Sequence, residues 1–77
     1  MPKYFFHVRD HEEFSEDTLG VELPDDDVAM QEAAIAAREM CAEKLKAGEK
    51  IDGQIFHVMS ETGAVIGTVP FRSVVEL

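Results

Sequence analysis

Apolar residues recur with a helical period from Asp25 to Gly48 and with a period closer to two along most of the rest of the chain. At about 100° per residue, Ala29, Met30, Ala33, Ala34, Ala37, Met40, Cys41 and Leu45 share one broad face. Gln31, Glu32, Arg38, Glu39, Glu43 and Lys46 fall on the other. Three aspartates, Asp25, Asp26 and Asp27, open the stretch, where orphan N–H groups and the positive dipole end favour acids. Lys44 and Lys46 precede Gly48 at its close, the usual stop signal. One long helix is predicted over 25–48. Val28, Ile35 and Ala42 add a small apolar stripe on its solvent side, which is either incidental or a partner surface.

The shorter period predicts strands. In Lys3 to Arg9, Tyr4, Phe6 and Val8 face one way and Phe5, His7 and Arg9 the other, with aromatics on both sides, as a central strand has. Asp10 to Asp17 reads as a charged loop with one apolar anchor, Phe14. Thr18 to Leu23 predicts a short edge strand around Gly20, ended by Pro24. After the turn-rich Gly48 to Gly53, Gln54 to Ser60 predicts a third strand, apolar on both faces. Ser60-Glu61-Thr62-Gly63 has the chemistry of a hairpin turn, and Ala64 to Val69, closed by Pro70, predicts a fourth strand at an edge. The expected fold is α+β, a two-layer sandwich of β-β-α-β-β order, with one long helix on one face of a four-stranded sheet. With the first and third strands central, the helix becomes a right-handed crossover between parallel neighbours, giving strand order 2-1-3-4. An all-antiparallel sheet is the alternative.

Composition narrows what such a fold can do. Seventy-seven residues allow one domain, 1–77, with a thin core. A single cysteine can staple nothing internally, so packing must hold the chain together. That lone thiol, a start without signal-peptide patterning and the lack of a long apolar run point to the cytoplasm and away from a membrane. The net charge of −9 is uneven: residues 1–27 hold nine acids and two bases. That third of the chain repels phosphate backbones and anionic lipid, so no nucleic acid or membrane partner is expected. A solvated acidic loop that aids solubility is its simplest meaning.

Residues with chemistry to offer are few. His7 and His57 fall on the same sheet face if Phe6 and Phe56 face the helix, and on neighbouring strands their rings approach each other. Two histidines without a third ligand are more often plain strand residues than a metal site. Asp10, Glu12, Glu13, Glu16 and Asp17 lack the glycine-containing spacing of a calcium loop. Cys41, on the apolar helix face, reads as a small buried thiol rather than a nucleophile. No phosphate cradle, nucleophile elbow or paired-cysteine zinc motif occurs. No catalytic residue, metal ligand set or cofactor is expected, and the chain does not read as an enzyme.

Several segments, taken together, set the chain beside known sequences: Met1-Pro2-Lys3-Tyr4-Phe5-Phe6-His7-Val8, Gly20-Val21-Glu22-Leu23-Pro24-Asp25, Ala37-Arg38-Glu39-Met40, and Phe56-x-Val58 followed by Gly63 and Val69-Pro70-Phe71. In this order they resemble a family of short alphaproteobacterial proteins, a domain of unknown function, over nearly the whole chain. The resemblance implies a bacterial, intracellular, single-domain protein, carries over no activity or catalytic residues, and adds nothing about mechanism. The loop from His11 to Asp17 is more charged than that family's pattern.

The sheet face away from the helix carries the functional expectation. One helix covers one face, and an open face normally alternates to polar residues. Here it would present Phe5, His7, Ile55, His57 and Met59, too apolar for open water. The cover is either the C-terminal segment with Phe71, Val74, Val75 and Leu77, or a second copy. The leading expectation is a small acidic interaction or structural module, self-associating or bound to another protein through Phe5, His7, Ile55, His57, Met59 and Phe71. The alternative is a metal- or small-ligand-binding protein using His7 and His57. A third class, an acidic decoy for a basic protein, draws on charge alone.

Overall fold

The computed structural model describes residues 1–75. Its elements are β1 (Lys3–Asp10), β2 (Glu13–Ser15), β3 (Val21–Glu22), α1 (Asp26–Lys46), β4 (Ile55–Ser60), β5 (Val65–Pro70) and a 3-10 turn at Phe71–Val74. The architecture is α+β, one helix on one face of a sheet, as the periodicities predict; the sheet is antiparallel throughout, the alternative arrangement, and has one strand more than expected. The additional strand is β2, inside the segment read as a charged loop. It pairs the last residues of β1 with Glu13, Phe14 and Ser15. β3 pairs the first residues of β1, so two short strands share one edge of a longer one.

β1 organises the sheet. On its other side it runs against β4, and β4 against β5, giving the path β2-β1-β4-β5. The expected order holds, with Val21–Glu22 beside β1 and β4 on the far side. The expected parallel pairing of the two central strands does not, because β1 and β4 are antiparallel. The cause lies upstream of the helix. The chain has already reversed into β3 before α1 begins, so the crossover joins β3 to β4, which run the same way with β1 between them. The reversal is the turn after β1, where His11 takes φ 57; β2 and β3 then both run antiparallel to β1, and Gly20 lets the chain pass close to β1 on its way into β3. Gly20 sits at φ 71, and a Cβ there would come within 2.8 Å of the Phe5 ring.

The helix matches its predicted span to within two residues at either end. Asp25 is its N-cap, its carboxylate accepting from the Val28 N–H at 2.9 Å. Its buried stripe is Ala29, Ala33, Ala37 and Cys41, one row at i, i+4 spacing. These small side chains let the helix axis lie close over Tyr4, Phe56, Val58 and Val69 of the sheet. Met40 and Leu45, expected on the same broad face, are exposed, because the stripe is narrower than the periodicity suggested. Cys41 is fully buried, as expected; burial raises its thiol pKa, and its Sγ lies 3.8 Å from the Phe71 carbonyl oxygen.

The C-terminal segment does not cover the open face. Phe71 is fully buried on the helix side, its ring 5.1 Å from that of Phe56, and Val74 and Val75 pack against the same core. The Phe71 N–H donates to the Gln54 carbonyl at 2.9 Å, which carries the chain on past β5 in register and turns its side chain inward. Phe71 is therefore a core residue and not part of an interaction face. Leu77 lies outside the described residues.

Candidate functional site

The register of β1 against β4 assembles the expected face. Phe5 stands opposite Met59, His7 opposite His57, and Arg9 opposite Ile55. Alternation then forces all six side chains to the side away from the helix, since Tyr4, Phe6, Val8, Phe56 and Val58 pack on the core. Five of the six residues assigned to this surface from the sequence are thus brought together: Phe5, His7, Ile55, His57 and Met59. The sixth, Phe71, is not.

The face is half covered, and by the acidic loop. Phe14, on the three-residue β2, lays its ring 5.5 Å from His7 and 6.2 Å from His57 by centroids. The Arg9 guanidinium sits 5.2 Å from the same ring, within cation–π range, and Phe5 stacks on His7 from the other side. Phe14 nevertheless remains 47% exposed. The sequence marks it as the loop's apolar anchor, but a lone aromatic among five acids carries no periodic signal of where it docks. Only the hairpin at Asp10–Glu13, with His11 at φ 57, aims it back over the histidines.

Asp17 fixes the loop to the strand. Between β2 and β3 the edge of β1 has no strand partner, and there the Asp17 carboxylate accepts from the Phe6 N–H at 3.1 Å. The same side chain accepts from the Leu19 and Gly20 N–H groups, while the Asp17 N–H donates to His7 Nδ1 at 2.9 Å. His7 is accordingly bonded and buried. His57 is different: its Nε2 is buried without a hydrogen-bond partner among the described residues. An open depression of about 360 Å³ lies alongside, lined by Phe5, His7, Asp17, Met59 and Glu61 among others.

A second cluster, unread in the sequence, stands at the end of the sheet where β1 finishes and β4 begins. His11 Nε2 lies 3.2 Å from Asp52 Oδ1 and 3.8 Å from Asp10 Oδ1. Gln54, 3% exposed, donates its amide to both carboxylates, at 3.2 Å to Asp10 and 3.1 Å to Asp52, and its Oε1 accepts from the Asp52 N–H. The hydrogen bond from His11 holds the Asp52 carboxyl below its ordinary pKa. These residues are 41 positions apart in the chain, so no spacing rule could have joined them.

The chain belongs to a family described as a domain of unknown function (DUF6894), which matches residues 3–72. The family resemblance drawn from the sequence is borne out to that extent. No curated protein and no solved structure matches the chain. Among the described residues, no helix is long and apolar enough to cross a membrane.

Proposed function

We propose that this is a small cytoplasmic interaction module without catalytic activity, and that it self-associates through the sheet face away from the helix. The observation that carries the reading is Phe14. A large aromatic ring is held in place over two histidines, with Arg9 beside it, and is still half exposed on a face that already offers Phe5, Ile55 and Met59. With the C-terminal turn packed on the helix side, this chain's described residues have no further segment to lay over it.

A second copy suits the face better than an unrelated acidic surface would. Lys3 and Arg9 are on it by alternation with Phe5 and His7, and Glu16 and Glu61 line the depression beside it, so a two-fold axis can set the bases of one copy against the acids of the other. The size argues for a weak contact. Four strands about 4.8 Å apart and six residues at about 3.3 Å cover roughly 400 Å² in projection, at or below the low end of stable interfaces. Association should therefore depend on concentration. Sedimentation equilibrium at high protein concentration should move the mass from 8.6 kDa toward twice that value, and Phe14→Glu should return it to the monomer. A monomer at every concentration would sink the reading.

One observation favours a second reading, a metal or small ligand held by His7 and His57. The two stand directly opposite each other, and His57 Nε2 is buried and unbonded. Against it, His7 Nδ1 is already occupied by the Asp17 N–H and Phe14 covers both rings. Zinc titration that shifted the ring signals of both histidines together would favour this second reading.

A further inference from the structure

We infer that Asp10, His11 and Asp52 form a binding site for one divalent transition-metal ion of the zinc class, apart from the sheet face that carries the proposed self-association. The three side chains come from the end of β1, the turn after it and the loop before β4, and one ligand atom from each lies within 4.8 Å of the other two. One imidazole nitrogen and two carboxylate oxygens are a donor set that suits zinc and its neighbours, with the two carboxylates neutralising the ion's charge. A tetrahedral zinc ion with bonds of about 2.0–2.1 Å holds its ligand atoms about 3.3–3.4 Å apart. Two of the three separations, 3.2 and 3.8 Å, are already near that spacing. Glu12 and Glu13 line an open depression together with Asp10 and His11, so a water or a further carboxylate can complete the coordination.

The simpler account is a surface ion pair between His11 and Asp52, whose side chains are 61% and 48% exposed. Such a pair contributes little and needs no third member. Two features go beyond it. Asp10 converges on the same imidazole although a second carboxylate so near the first is repelled by it. Gln54, buried and neutral, spends its amide on the Oδ1 atoms of both, and so holds the two carboxylates together before any ion arrives. Each Oδ1 keeps a lone pair beyond that bond. His11 adopts φ 57, a region costly for most residues, and in that turn its ring reaches both carboxylates.

The test is calorimetric titration of the intact chain with zinc, read alongside the ring signals of its three histidines. We expect one ion per chain at sub-millimolar concentration, with the shift at His11 alone. His11→Asn keeps a residue that tolerates this backbone conformation, and Asp52→Asn keeps the side chain's shape. Each should weaken binding by about tenfold or more, with circular dichroism and melting temperature showing that both variants fold. Absence of saturable binding, unchanged affinity in the double variant, or a shift centred on His7 and His57 would each overturn the site.

Discussion

Tyr4 donates its hydroxyl to Asp26 Oδ1 at 2.7 Å while its ring fills the core, which ties the first strand to the first turn of the helix. That bond, burial, and the charges of Asp26, Asp25 and Glu61 push the phenol from 10.0 up to about 12. A folded pKa above the unfolded one places its stabilising effect below pH 10, fully present there and lost as pH rises toward 12. The chain has one tyrosine and no tryptophan, so tyrosinate absorbance reads this group without interference. We expect its midpoint near 12 in the parent and closer to 10 in Asp26→Asn, with the parent's melting temperature falling over the same interval. A midpoint near 10 in both proteins would show that the hydroxyl is not held by Asp26.

At the scale of elements, legibility followed the length of the repeating signal. The helix could be read because its cap, its alanine stripe and its terminal lysines agree, and β1 and β4 because each alternates over six residues or more. β2 could not be read: Glu13, Phe14 and Ser15 are all exposed, so alternation has nothing to act on. The direction of β4 was misread for a related reason. It depends on the reversal at the turn after β1, where His11 takes φ 57 and no glycine or proline marks the turn in the sequence. The face of Phe5, His7, Ile55, His57 and Met59 was legible from alternation, whereas its cover by Phe14 and the cluster of Asp10, His11 and Asp52 arise from tertiary contact. Asp17 joins β2 to β3 where no strand pairs with β1. Burial works to raise its carboxyl, yet the N–H groups of Phe6, Gly20 and Leu19, with His7 nearby, hold it below its ordinary pKa. Its contribution is therefore present above the unfolded value of 3.8 and lost as pH falls through the lower folded one. Charged hydrogen bonds of this kind contribute about 1.5–3 kcal/mol, less where solvent reaches them, so Asp17→Ala should cost about 2 kcal/mol. Urea unfolding at neutral pH measures it, and a loss under about 0.5 kcal/mol would remove Asp17 from this role.

For the molecule as a whole, the proposed self-association has two candidate surfaces, the open face and the far edge of the sheet, β5. Val65–Pro70 carries no charge, and the acids of residues 1–27 include those of β2 and β3 on the opposite edge, so repulsion does not guard it. Its backbone does. The bond from the Phe71 N–H to the Gln54 carbonyl makes that a hydrogen-bonded pair, and alternation then turns the backbone groups of Thr68 and Pro70 outward. Pro70 has no N–H, and its carbonyl already accepts from Ser73 Oγ at 2.6 Å. Toward the other end the register slips between Val58 and Met59, leaving Ile66 as an extra residue that breaks the ladder. The free edge shrinks to Thr68, too short to template another strand, and the face remains the better contact. Pro70→Val restores an outward N–H at a position whose extended backbone, φ −64 and ψ 133, valine also accepts. We expect Pro70→Val to keep the parent's circular dichroism and to gain species larger than a dimer in light scattering. Those species should persist when Phe14→Glu is added, because an edge contact does not use the face. If Pro70→Val scatters like the parent, the edge is guarded by something other than this proline.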